Sequence, residues 1–253
     1  MLNLIISGCS GRMGQAVSTL CTEDEGINLV AGFDSHVGEQ CSYPVYTDPA
    51  EFTGKADVVI DFSIPAALPA LLSYCKRTKT PIVLCATGYS TDDEERIARA
   101  ARVIPIFQAG NMSLGAHLLC DLAKRAAQVL GKEFDIELIE RHHRMKIDAP
   151  SGTALMLLDA VREALPYDPI PVYDRQRTRR ERDQQEIGIA SIRGGTNMGE
   201  HEVIFAGPSE VIELRHAVLS RDVFAKGAIT AAKRLVKMDK PGMYTAGQIL
   251  LGL

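Results

Sequence analysis

The sequence lacks a long uninterrupted apolar run. Its most hydrophobic stretch, from Ala56 to Leu72, is broken by Asp57, Asp61 and two prolines before it reaches the length a membrane span requires. Paired cysteines are also missing. Cys9, Cys21, Cys41, Cys75, Cys85 and Cys120 are scattered singly, with neither the spacing of a zinc site nor the density of a disulfide scaffold. There is no basic excess: 28 Lys and Arg against 32 Asp and Glu leave a formal net charge of -4, with no general attraction for nucleic acid or an anionic membrane. The apolar run Leu2 to Ile6 is too short for a signal-peptide core, has no basic flank and passes straight into a glycine loop. Together these absences predict a cytoplasmic protein with reduced thiols, no metal site, and neither nucleic acid nor membrane as partner.

What remains is the balance of a packed globular chain, 46% hydrophobic and 24% charged, with 253 residues giving room for two modest domains or one large one. In the first half, strand-length apolar runs at Leu2 to Ser7, Asn28 to Phe33, Asp57 to Phe62, Ile82 to Cys85 and Ile104 to Phe107 alternate with helix-period segments. The helices are expected at Met13 to Cys21, Ala66 to Thr78 and Asp92 to Arg102, the last preceded by Ser90, Thr91 and acidic residues suited to a helix start. This alternation predicts a Rossmann-like, doubly wound parallel sheet of the α/β class. After Asn111 the pattern changes to an amphipathic helix from Leu114 to Leu130, a strand from Asp135 to Glu140 and a dense polar motif. Later β-rich runs at Ile187 to Arg193, Glu202 to Ala206 and Val211 to His216 predict a second, α+β domain with an open, mixed and largely antiparallel sheet. A final helix near Phe224 to Val236 is expected to return to the first domain, giving domains of 1–112 completed by 223–253, and 113–222.

Gly8, Gly11 and Gly14 fall between the first strand and the first helix, where a backbone without Cβ turns tightly and brings its N–H groups against a pyrophosphate. The spacing departs from Gly-x-Gly-x-x-Gly, so by itself the loop fits either a dinucleotide or an ordinary turn. Asp34, about 20 residues further on at the end of the second strand, favours the dinucleotide, because a carboxylate there accepts hydrogen bonds from a ribose. It also repels a 2′-phosphate, and neither Ser35 nor His36 brings a permanent cation. NADH is therefore the expected cofactor, with Arg12 leaving NADPH admissible.

The segment from Glu140 to Ala154 gathers His142, His143, Arg144 and Lys146 ahead of a Ser-Gly-Thr helix start. Such a cluster suits an anionic substrate: Gly152 and Thr153 would offer helix-terminal N–H groups and a hydroxyl to a carboxylate, and Lys146 a point charge or a proton. His142, with an ordinary pKa near neutrality, suits proton exchange, although adjacent histidines at a strand end also occur as one packed and one solvated ring.

Gly8-Cys-Ser-Gly-Arg-Met-Gly14 and His142-His-Arg-Met-Lys-Ile-Asp-Ala-Pro-Ser-Gly-Thr-Ala154 resemble the two signature stretches of 4-hydroxy-tetrahydrodipicolinate reductases. Ala86-Thr-Gly88, Gly110-Asn-Met-Ser-Leu-Gly115, Arg193-Gly-Gly195, Gly199-Glu-His201 and the run from His216 through Arg221 to Gly227-Ala228 extend the likeness, which is poor only at the chain ends and from Pro166 to Gln185. The resemblance implies His142 and Lys146 as the catalytic pair, and His143, Ser151, Gly152 and Thr153 as substrate-binding residues. It implies cofactor contacts at Gly8, Cys9, Ser10, Gly11, Arg12, Met13, Asp34, Cys85, Ala86, Thr87, Ala109, Gly110, Asn111 and Met112. Cys85 and Ala86 stand where a Gly and a Thr are common in the family. The implied reaction reduces a cyclic dicarboxylate with NAD(P)H in the diaminopimelate route of lysine biosynthesis. The implied assembly is a homotetramer formed through the second domain's sheet. A protonated His142 beside Lys146 is expected to stabilise charge arriving on the ring.

Three other readings make different demands. A non-enzymatic nicotinamide redox sensor would use the glycine loop and leave the His-Lys segment idle. A semialdehyde dehydrogenase would need a reactive thiol, for which Cys85 is the best-placed candidate and a buried structural thiol the competing explanation. The run Arg175, Arg177, Arg179, Arg180 and Arg182 would serve a nucleic-acid patch, but Glu181 and Asp183 among them favour a solvated loop.

Overall fold

The run Leu4 to Ser7 is buried on both faces, as an interior strand of a parallel sheet covered by helices requires. In the computed structural model, which describes residues 1–36, 41–176 and 179–253, this run lies in β1 (Leu2–Ser7). It is followed by α1 (Arg12–Thr22), β2 (Ile27–Phe33), β3 (Val45–Tyr46), β4 (Val58–Asp61), α2 (Leu68–Thr78), β5 (Ile82–Leu84), α3 (Thr91–Ala100) and β6 (Pro105–Gln108). Next come α4 (Leu114–Leu130), β7 (Asp135–His142), α5 (Gly152–Arg162), β8 (Ile170–Val172), β9 (Glu186–Arg193), β10 (Glu200–Ala206), β11 (Val211–Ala217), α6 (Asp222–Leu235) and β12 (Gly242–Tyr244). The described residues form two compact units: one contains Met1–Leu114 with Asp222–Leu253, the other Gly115–Arg221.

The first unit has a seven-stranded sheet in the order β12-β6-β5-β4-β1-β2-β3, every pair parallel. From β1 the chain runs outward through β2 to β3, then crosses back to β4 and runs the other way. The crevice beyond the carboxyl ends of β1 and β4 is thus a topological switch point, where doubly wound sheets bind ligands. Leu4 and Ile6 face a core shared with α1 and α6, while Ile5 faces one built with α2 and α3. The doubly wound architecture follows the sequence expectation. The two-residue β3, and β12 beyond β6, were not anticipated because neither run is long enough to show a period.

The second unit has a five-stranded sheet in the order β11-β10-β7-β9-β8. It is open and mixed, but not largely antiparallel: β10 pairs antiparallel with β7 and β11, whereas β9 pairs parallel with both β7 and β8. Helix α5 lies in the connection between β7 and the β8–β9 pair, and a crossover of that kind produces parallel neighbours. In β7 buried and half-buried residues alternate strictly, so one face meets the core of Leu119, Ala123, Leu157 and Phe205. That period of two puts Glu140 and His142 side by side on the buried face. The strand runs two residues past its expected end, and His142 is a strand residue rather than part of a turn.

Candidate active site

The turn after β1 is built around missing side chains. Gly8 has φ +74, and a Cβ there would lie 2.8 Å from the Phe62 carbonyl group. A Cβ on Gly14 would lie 2.1 Å from the Gly8 oxygen, so only glycine lets α1 start this close to β1. The α1 N-terminus has no side-chain cap and no acidic residue in its first turn. Helix α3 differs, with a Ser90–Asp93 capping box and Asp92, Asp93 and Glu94 in its first turn. The α1 start thus retains N–H groups suited to an anion, while the α3 start is neutralised by its own chain.

Asp34 lies against this turn: its carboxylate accepts from the Ser10 N–H at 2.9 Å and the His36 N–H at 3.1 Å. A cleft of about 740 Å³ opens here, lined by the glycine turn, Asp34 to His36 and the Phe62 to Ile64 segment after β4. The close glycine approach, the free helix start and a ribose-type carboxylate together fit a dinucleotide. Of the residues expected to contact a cofactor, Gly8, Ser10, Gly11 and Asp34 line the cleft, together with Ser35, His36, Phe62 and Ile64. Cys9, Cys85, Ala86 and Met112 are buried in the first unit, so their side chains belong to its interior and they present backbone only. Arg12 is exposed and Met13 half-buried. Thr87 and Gly110 meet, since a Cβ on Gly110 would be 3.1 Å from Thr87 Cγ2, which brings together the segments after β5 and β6 that hold Cys85 to Thr87 and Ala109 to Met112.

Cys85 is 6% exposed. Burial, reinforced by the charge of Asp61, pushes its thiol well above the ordinary range. A nucleophilic cysteine needs the opposite shift, so the semialdehyde dehydrogenase reading loses its best candidate.

The second unit carries the polar cluster. His142 Nδ1 lies 2.5 Å from Glu140 Oε2. Arg193, next to His142 in the β7–β9 register, closes a two-pronged bond on Glu140, with Nη1 to Oε2 at 2.7 Å and Nη2 to Oε1 at 2.6 Å. The Ser151 N–H adds a fourth contact to Oε1 at 3.2 Å. His201 sits opposite Glu140 on β10, and its ring meets that of His142 edge to face, with centroids 5.2 Å apart.

Burial alone would raise the Glu140 carboxyl, but hydrogen bonds from Arg193, Ser191 and His142 hold it at about 2. Burial pushes the His142 ring below its ordinary pKa of 6.5, with Lys146 and Arg193 acting the same way and Glu140 only partly opposing them. His201 is pushed down to about 4 by burial and by the neighbouring His142. Both rings are therefore neutral at pH 7, and the expectation of a protonated His142 does not hold for the resting protein. With Glu140 ionised, the shared proton of that contact resides on Nδ1, leaving the lone pair on Nε2. Nε2 faces Gly199, where a Cβ would stand 3.0 Å away.

Lys146 Nζ, in the turn after β7, is 2.8 Å from Asp148 Oδ1. His143 is half-buried, and its Nδ1 has no hydrogen-bond partner among the described residues. The Ser151 hydroxyl is already engaged: it caps α5 by accepting from the Ala154 N–H at 3.2 Å and lies 2.8 Å from His201 Nε2. Ser151 is also 2% exposed, so it shapes the start of α5 rather than presenting its hydroxyl. Gly152 is exposed with open space where a Cβ would stand, and the first turn of α5, including Thr153, contains no acidic residue. With Ser151 already capping the Ala154 N–H, it is the Gly152 end of this helix start that faces solvent.

Glu140, Arg193 and His201 are members of the cluster that sequence reasoning left without a role. The signal was present for Glu140, two residues before His142 on an alternating strand, but absent for the others, whose positions depend on strand pairing. Arg175, Arg179 and Arg180 are exposed in a solvated loop as expected, but Arg175, Arg180 and the half-buried Arg182 also pair with Asp135, Glu137 and the buried Glu186 on β7 and β9. Arg177 lies outside the described residues. Among the described residues no helix is long and apolar enough to cross a membrane, and no three His, Cys, Asp or Glu side chains are grouped to hold a metal ion.

Residues 2–112 match the family pattern described as dihydrodipicolinate reductase, N-terminus, and residues 115–250 match that described as dihydrodipicolinate reductase, C-terminus. The chain is 48% identical to the 4-hydroxy-tetrahydrodipicolinate reductase of Caldanaerobacter subterraneus subsp. tengcongensis over 245 residues, covering 97% of this chain and 96% of that one. It is 43% identical to the enzyme of the same name from Clostridium novyi, covering 99% and 98%. In fold it is similar to the dipicolinate-bound dihydrodipicolinate reductase of Paenisporosarcina sp. TG-14, with a TM-score of 0.81 at 24% identity over 96% of this chain and 97% of that one. With family matches that together span residues 2–112 and 115–250 and relatives 43–48% identical over nearly the whole chain, the chain belongs to the 4-hydroxy-tetrahydrodipicolinate reductase family.

Proposed function

We propose that the protein reduces 4-hydroxy-tetrahydrodipicolinate, by way of dihydrodipicolinate, to tetrahydrodipicolinate in the diaminopimelate route of lysine biosynthesis. The observation that carries this reading is the cluster of His142, Lys146 and the exposed Gly152 at the α5 start, in a chain that matches the reductase family over both units. A redox sensor would have no use for that cluster.

A dinucleotide held by its pyrophosphate at the glycine turn and by Asp34 would supply the hydride for C4 of the ring, from which water is first lost. The N–H groups at the start of α5 and the ring of His143 take the substrate carboxylates. The Lys146 ammonium, steadied by Asp148, stabilises negative charge as it moves onto the ring, more in the transition state than in the ground state. His142 exchanges protons at Nε2. The proton that completes the product comes from the His142–Lys146 pair.

The test is a coupled assay that generates the substrate in place and follows nicotinamide absorbance. Oxidation that depends on substrate supports the reading, and its absence in a folded preparation removes it. The cofactor is proposed to be NADH in preference to NADPH, because Asp34 points its carboxylate at the cleft where a 2′-phosphate would lie. Comparing kcat/KM for the two nucleotides should favour NADH, and a strong NADPH preference would refute this assignment. Asp34→Ala is expected to narrow the difference by admitting the phosphate.

A cytoplasmic location and a homotetramer joined through the second unit's sheet complete the proposal. Six free cysteines support the first, and Val211 and Ile212 exposed on the edge strand β11 support the second.

A further inference from the structure

We propose that Glu140, clamped by Arg193, is a positioning residue that holds the His142 imidazole in its Nδ1–H form and so keeps Nε2 as the atom offered to substrate. The inference rests on the functional reading above and adds a residue to its machinery. A carboxylate that served only to tie β7 to β9 would be satisfied by Arg193. Glu140 is 1% exposed, yet besides the two Arg193 prongs and Ser191 it takes the Ser151 N–H on Oε1 and His142 Nδ1 on Oε2. The clamp fixes the carboxylate in rotation, so the ring that bonds to it is fixed in direction as well as in tautomer.

The ring's other contacts complete the fixation. His201 from β10 lies edge-on against it, and Gly199 leaves space at Nε2 that a Cβ would fill. The charged or titratable groups around His142 are Glu140 on its own strand, Arg193 from β9, His201 from β10, and Lys146 with its partner Asp148 from the following turn. Of those acting on the ring, only Glu140 favours imidazolium, while Arg193, Lys146 and burial oppose it. Removing the carboxylate's charge therefore shifts the ring's protonation to lower pH, and an amide in its place presents N–H to Nδ1 and drives the proton to Nε2.

The decisive variant is Glu140→Gln, with nitrogen-15 NMR of the histidine rings in the wild type as the independent measurement, the His142 signals being assigned by their loss in His142→Asn. The wild type should show neutral His142 protonated on Nδ1. The variant should lose about 10- to 100-fold in kcat with KM little changed, and the acid limb of its kcat/KM profile should move to lower pH. A folded Glu140→Gln protein with wild-type kcat and an unmoved limb overturns the proposal. So does a wild-type spectrum with the neutral ring protonated on Nε2, which decides the matter even if the variant fails to fold. Failure of the functional reading looks different, because the wild type itself would then leave nicotinamide unoxidised while the NMR result still stood on its own.

Discussion

Lys146→Ala and His142→Ala are each expected to lower kcat by about two to four orders of magnitude, the range for losing a positioned proton-transfer group or a charge stabiliser. Stability should change far less for the lysine. Its partner Asp148 is 59% exposed, and a pair so open to water contributes about 0–1 kcal/mol, or a Tm shift of no more than about 4 °C in a protein of this size. His142 is buried, so its removal leaves a small cavity, but Glu140 keeps both Arg193 bonds and the Ser151 N–H. Turnover measured beside thermal melting separates the two effects. Near-normal kcat in both variants would take the pair out of catalysis, and a collapse of Tm in Lys146→Ala would show that the lysine is structural.

Arg193→Leu should have the largest effect on stability. It strips a buried carboxylate of the cation that clamps both its oxygens, and breaking a buried pair from one side costs about 3–5 kcal/mol. Urea unfolding at pH 7 would read this directly. The loss should depend on pH with a definite sign. Glu140 titrates lower in the folded chain, at about 2, than its ordinary 4.5, so its contribution is present above pH 4.5 and is lost as pH falls towards 2. Across that window the wild type should lose about 3 kcal/mol from this group. The gap between wild type and variant should narrow accordingly, because the variant's Glu140 has no clamping cation left to lose. A gap that stays constant from pH 7 to pH 3 would show that Arg193 acts through packing rather than through the charge of Glu140.

The parts of the molecule visible in the sequence are those fixed by short-range periodicity. Leu2–Ser7 reads as a buried strand because it is apolar throughout, and α4 reads as a helix because its apolar residues recur at helical spacing. The glycine turn and Asp34 are legible for a similar reason: one helix and one strand separate them, within a strand-helix-strand unit of nearly fixed geometry. Pairing across distant strands is different. Arg193 reaches Glu140 from 53 residues away, and His201 reaches the same carboxylate's neighbourhood through a third strand. No local pattern encodes the parallel β7–β9 register that brings Arg193 to His142.

Charge state was hidden for the same reason. A protonated His142 is what charge stabilisation on the ring would call for, whereas burial, with Lys146 and the Arg193 guanidinium acting the same way, lowers the ring's pKa. The ion pairs of the exposed arginine run are likewise hidden in the sequence, because their partners, Asp135, Glu137 and Glu186, lie on strands that the loop folds back to meet.

The most direct measurement uses NADH carrying deuterium at both C4 positions, with freshly generated substrate in ordinary water and mass spectrometry and NMR of the product. One deuterium at ring C4 of tetrahydrodipicolinate, with the neighbouring carbon protonated from solvent, is the expected result. Product without deuterium at C4, or deuterated nicotinamide left intact beside unconsumed substrate, would contradict hydride transfer to the ring and with it the assigned role of the His142–Lys146 cluster.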